Sequence, residues 1–123
     1  MSVVVVVALL AGIWSCSNDV GLPSAYHEGH LPQPADVTSA VDAGAITVTW
    51  SVSSETNVSG FVVGFTDSSG TETTRSIEDA TAREYAEQEL DTTSGTIYLI
   101  QVWSFDAVQF FGQRSEVDTL VVE

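Results

Sequence analysis

Lysine is missing from this 123-residue chain, and only three arginines, Arg75, Arg83 and Arg114, stand against 17 acidic residues. The resulting net charge of −14 repels phosphate backbones and anionic lipid head groups, so nucleic acid is excluded as a partner. Cysteine is almost as scarce. The single Cys16 forbids an internal disulfide and any multi-cysteine metal site within one chain. No Gly-x-Ser-x-Gly elbow and no glycine-rich phosphate loop occurs, so serine-nucleophile and nucleotide chemistry lack their frames. No apolar run reaches the ~20 residues that a membrane-spanning helix needs. With no catalytic apparatus in view, the chain is expected to be no enzyme and to need no cofactor.

What is present suffices for one folded domain. Hydrophobic residues make up 44% of the chain, too many for a disordered polymer even at this charge. The acidity itself reads as solubility, suited to a salty medium where screening weakens self-repulsion.

The N-terminal stretch Ser2–Trp14 is apolar and of the length of a signal-peptide core. It ends in Ile13-Trp14-Ser15-Cys16, followed by the polar Ser17-Asn18-Asp19. This resembles the lipobox of bacterial lipoproteins, with an aliphatic residue at minus three, a small one at minus one, and then the cysteine that carries lipid. Trp14 is bulkier than usual there, and Met1-Ser2 offers no basic residue ahead of the core. The resemblance implies a signal peptide over 1–15, cleavage before Cys16, lipidation of Cys16, and export to the bacterial cell envelope. Two acyl chains, at ~0.8 kcal/mol per buried methylene, make a stable membrane anchor. A valine-rich buried strand is the competing reading of the same run.

Residues 16–33 mix Ser, Asn, Asp, Gly and prolines without an apolar period, which is linker composition. Within it, His27 and His30 flank Glu28 and Gly29. Zinc or copper would need further ligands, and the spacing is one residue short of His-Glu-x-x-His, so a solvated tether without metal is expected.

From Pro34 the chain breaks into short alternating segments separated by turn residues, the pattern of a β-sandwich. Tyr98-Leu99-Ile100-Gln101-Val102-Trp103-Ser104-Phe105 alternates strictly and carries large apolar groups on both faces, as a central strand does. Ile46, Val48 and Trp50 share one face of a second strand, and Phe61, Val63 and Phe65 one face of a third. Asp67–Gly70 reads as a turn, and the polar Glu72–Ile77 as an edge strand. Arg83 to Leu90 is compatible with a strand or a helix.

These segments resemble a fibronectin type III domain over 34–123. Pro34 matches its leading proline, Trp50 the core tryptophan of the second strand, Leu90 the leucine before the turn, and Tyr98 the corner tyrosine of Tyr-x-Ile-x-Val-x-Ser. Thr92 stands where that family has a proline, and Glu87 where it has an apolar residue. The resemblance implies an all-β, immunoglobulin-like antiparallel sandwich of about seven strands, with a tyrosine corner at one end.

On such a fold, function sits in end loops or on an exposed sheet face. The candidate binding residues are Trp103 and Phe105, on the outward face of the central strand, with Phe110 and Phe111 in the following loop. Together they form an apolar contact surface, unless the two phenylalanines fold back over Trp103 as a cap. The acidic residues around Glu84, Glu87, Glu89 and Asp91 lack the ligand spacing of a calcium loop and read as solvated charge. The functional expectation is a non-catalytic envelope lipoprotein presenting one binding or scaffolding domain to a protein or glycan at the cell surface. Alternatives are a carbohydrate-contacting accessory module and a purely structural subunit of an envelope complex.

Overall fold

The computed structural model describes residues 31–123. The expected signal segment, Cys16, His27 and His30 lie outside the described residues. The described chain forms seven strands: β1 (Ala35–Asp42), β2 (Ala45–Ser51), β3 (Gly60–Thr66), β4 (Glu72–Ile77), β5 (Glu84–Glu87), β6 (Ile97–Phe105) and β7 (Asp118–Val121). They make two antiparallel sheets, ordered β1-β2-β5 and β4-β3-β6-β7. The all-β sandwich expected from the alternation is the observed fold, and no helix occurs among the described residues.

Alternation decides which face each strand buries. Ile46, Val48 and Trp50 of β2 meet Phe61, Val63 and Phe65 of β3 and Tyr98, Ile100 and Val102 of β6 in one core between the sheets. The Trp50 and Phe61 rings lie 5.5 Å apart, and the Arg83 guanidinium sits 5.6 Å from the Phe61 centroid at the same end. β1 and β2 join through the two-residue hairpin Ala43-Gly44, both with left-handed φ, as a primed turn requires. Asp67 caps the β3–β4 turn by accepting from the amides of Ser69 and Thr71, while Gly70 takes a φ of 90°. Among the described residues, packing against the core already includes Leu31, three residues ahead of Pro34. Leu31 is buried in the core, and Ser104 Oγ donates to the Pro32 carbonyl at 3.2 Å.

Within Arg83 to Leu90, Glu84–Glu87 form a strand, because they pair with Ile46–Thr49 of β2 and so satisfy the backbone of both. The tyrosine corner also forms. Tyr98 Oη donates to the Asp91 carbonyl at 2.7 Å. Without proline at position 92, the Asp91 carboxylate orders the turn instead, accepting from the Thr93 amide and hydroxyl.

Glu87 occupies its core position with only 1% exposure. Its carboxylate accepts from Arg75 Nε at 2.7 Å, Arg75 Nη2 at 3.2 Å, the Tyr85 hydroxyl at 3.1 Å and the Glu89 amide at 2.8 Å. Arg75 lies on β4 of the other sheet, so the pair closes the side of the sandwich between edge strands β4 and β5. Its bonds to Arg75 hold the Glu87 carboxyl below the ordinary value of 4.5, against the opposing effect of burial.

Two outcomes follow from this core. Trp50→Ala, which opens a cavity beside Phe61, is expected to cost roughly 3–5 kcal/mol in urea unfolding, and a loss under ~1 kcal/mol would contradict the β2 register. For Glu87, a depressed folded pKa means that the stabilisation is whole above the ordinary carboxylate range. It is lost as pH falls through the folded value. Glu87→Gln should therefore flatten the acid limb of stability against pH relative to wild type; parallel limbs would contradict the clamp.

Candidate functional site: the outward face of β3–β6 and the β6–β7 loop

Two glycines of β3 shape the outward face of the four-stranded sheet. A Cβ on Gly64 would stand 2.9 Å from the Trp103 ring, and one on Gly60 would stand 2.6 Å from the ring of Phe105. Both rings therefore lie down across bare backbone on the neighbouring strand and cover peptide groups that glycine leaves open. Val62, between the glycines, completes a small outer cluster with Trp103 and Phe105.

Arg114 roofs this cluster. Its guanidinium carbon lies 3.8 Å from the Trp103 ring centroid, and Nη1 donates to Glu72 Oε2 on β4 at 2.8 Å. The connection into β7 puts it there: from the isolated bridge Phe105↔Phe111 to the pair Ile100↔Asp118 the returning chain takes seven steps against five on β6. Ser115 repairs the ladder, donating its amide to the Val102 carbonyl and accepting the Val102 amide at Oγ.

The four expected contact residues thus divide. Trp103 and Phe105, at 5% and 2% exposure, are buried and form the floor rather than the contact surface; the glycine notches and Arg114 are the reason. Phe110 and Phe111, at 43% and 52%, are exposed. The residue that covers Trp103 is Arg114, whose only mark in the sequence is that it is one of three cations.

The loop carrying the phenylalanines is braced from below. Asp106 is itself buried, and its Oδ1 accepts from the amides of Val108 at 3.0 Å and Phe110 at 3.1 Å. The backbone adds Asp106 N–H to the Phe110 carbonyl, Gln109 N–H to the Asp106 carbonyl, and Gly112 N–H to the Ser104 carbonyl. Gln109 takes a left-handed φ of 68°, which costs a non-glycine residue strain that this network holds in place. Val108 is exposed beside the two rings, so the tip is apolar. Farther along the same outward face, Ile97 and Leu99 of β6 and Val117 and Val121 near β7 are also exposed. Their outward alternation, partnered with no turn signal, is the sequence feature that marks them.

The acidic residues do different work. Asp67 and Asp91 are turn caps, and side-chain hydrogen bonds from Ser69 and Thr93 respectively hold their carboxyls below the ordinary range. Among the described residues, no group of three or more His, Cys, Asp or Glu side chains is placed to hold a metal ion.

No protein-family model matches the chain. No curated protein matches it either. Solved structures do. A structure described as that of a myokine superposes with a TM-score of 0.62 at 21% identity, over 73% of this chain and 95% of that one. The FN5 domain of Drosophila Lar gives 0.59 at 18%, over 75% and 96%. An Fn3-like protein from Clostridium thermocellum gives 0.55 at 20%, over 71% and 88%. At these identities the likeness is one of fold, and the fold is fibronectin type III-like.

Arg114→Ala should uncover the Trp103 ring. The expected outcome is stronger acrylamide quenching of tryptophan fluorescence, with a stability loss of about 1 kcal/mol because the ion pair is half exposed. Unchanged quenching would contradict the roof.

Proposed function

We propose that the chain is a non-catalytic binding module of the bacterial cell envelope, anchored by lipid at Cys16 and contacting a protein partner through the apolar tip of the β6–β7 loop. One observation carries this reading: Phe110 and Phe111 are held exposed on a loop whose backbone is already ordered. Ordering a loop in advance removes an entropy cost from association, and aromatic side chains contribute large contact areas in few degrees of freedom. The linker expected over 16–33 would carry the domain clear of the lipid surface. The sandwich fold supplies a rigid platform from which its loops are presented.

The observations favour a protein over a glycan. Sugar rings stack on a flat, accessible aromatic face, and Arg114 occupies that face of Trp103. Phe110 and Phe111 present tips suited to insertion into a partner's pocket.

The test uses the full chain in its native membrane, with a photoreactive amino acid in place of Val108 and radiolabelled palmitate in the medium. Expected are palmitate on wild type but not on Cys16→Ser, and one discrete cross-linked protein lost in Phe110→Ser/Phe111→Ser. Those loop substitutions should change unfolding free energy by under about 0.5 kcal/mol, as surface changes do. No label would overturn the anchor. A cross-link that survives the double substitution would overturn the contact surface.

A further inference from the structure

We infer that the protein contacted by Phe110 and Phe111 is fixed in the same membrane as Cys16 and offers them an apolar pocket near the lipid surface. This rests on the reading just given and adds the direction in which the loop faces.

The β6–β7 loop and the residues that lead back to Cys16 lie at one end of the sandwich and are fastened together. Ser104 Oγ donates to the Pro32 carbonyl at 3.2 Å, and Gln33 Nε2 donates to the Arg114 carbonyl at 2.8 Å. A Cβ on Gly112 would stand 2.9 Å from Leu31 Cβ, so the loop backbone rests directly on the buried Leu31. The β2–β3 connection belongs to the same end, where Ser59 N–H donates to the Phe105 carbonyl at 2.8 Å. At the other end of β6 lie the Asp67–Gly70 turn and the Asp91 turn beneath Tyr98. Nine residues of β6 separate the two ends by roughly 25–30 Å, at 3.3–3.4 Å per residue.

Residues 16–30 lie between the lipid site and Leu31, and fifteen residues reach about 50 Å at most. A lipid on Cys16 therefore holds the domain by the end that bears the phenylalanines. The apolar tip faces the membrane, and the Asp67–Gly70 turn faces away from it. A protein on an opposing surface meets the turn end first. A protein in the same membrane meets the tip, and its confinement to that surface raises its effective concentration. Lipid itself suits the tip less well. Asp36, Glu55 and Glu116 are exposed at this end, and with the net charge of −14 they repel anionic head groups. The rim of the partner's pocket is accordingly neutral or basic.

The test uses the full chain in its native membrane, with the photoreactive amino acid at Val108, and a second chain lacking Val20–Gly29. That deletion leaves five residues between the lipid and Leu31, a reach of about 17 Å. Expected is a cross-link to one protein that needs Phe110 and Phe111 and is kept or strengthened in the shortened chain. In membranes that were not irradiated, that protein should stay bound through an alkaline carbonate wash. A cross-linked protein that washes off, or a cross-link lost on shortening, overturns the membrane location and leaves the loop contact standing. Lipid adducts alone, or no product at either length, overturn the loop contact and this inference with it.

Discussion

Strands β3 and β6 pair in register from Gly60↔Phe105 to Thr66↔Leu99, and the inner face of that pair and the Gly60–Gly64 stretch of its outer face are covered. On the inner face, Phe61, Val63 and Phe65 with Tyr98, Ile100 and Val102 make one wall of the core. On the outer face, Trp103 and Phe105 fill the notches over Gly64 and Gly60. Each cover depends on the register. A slip of one residue would turn the inner apolar set outward and set the aromatic rings against side chains instead of glycine. The loop after β6 inherits its position from the same pair, because Phe105↔Phe111 is where the loop closes.

Charge is arranged around that frame with few cations. Each arginine joins segments far apart in sequence: Arg75 to Glu87 across the sheets, Arg83 to Glu55 between two loops, and Arg114 to Glu72 over Trp103. Two of the three also lie over aromatic rings, Phe61 and Trp103. The exposed pairs contribute little individually and weaken with salt. The Arg75–Glu87 pair differs because its carboxylate is buried and receives four hydrogen bonds. The remaining acidic surface repels strongly negative molecules.

The strands are legible because alternation needs no knowledge of neighbours: Ile46-Val48-Trp50 and Tyr98-Ile100-Val102 name their own inner face. The outward burial of Trp103 and Phe105 is not legible in that way. It depends on which residues of β3 lie beside them, and a glycine in one strand becomes a notch only once the register is fixed. Arg114 is hidden for a similar reason, since it lies in the non-strand connection between the Phe105↔Phe111 bridge and β7, whose course alternation does not reveal. Glu87 reads as a break in the pattern because its partner, Arg75, comes from a different sheet. Phe110 and Phe111 are visible as unusual loop residues, while the bracing by Asp106 is a matter of backbone geometry.

The β6–β7 loop is ordered by its own hydrogen bonds, so that two phenylalanines are presented on a braced backbone rather than merely exposed. Amide hydrogen exchange on the free protein tests this most directly. Exchange should be slowed at Gln109 and Phe110, whose N–H groups bond to the Asp106 carbonyl and carboxylate. Exchange at both amides at the rate of an unstructured peptide, while Val63 and Val102 in β3 and β6 stay protected, would contradict it.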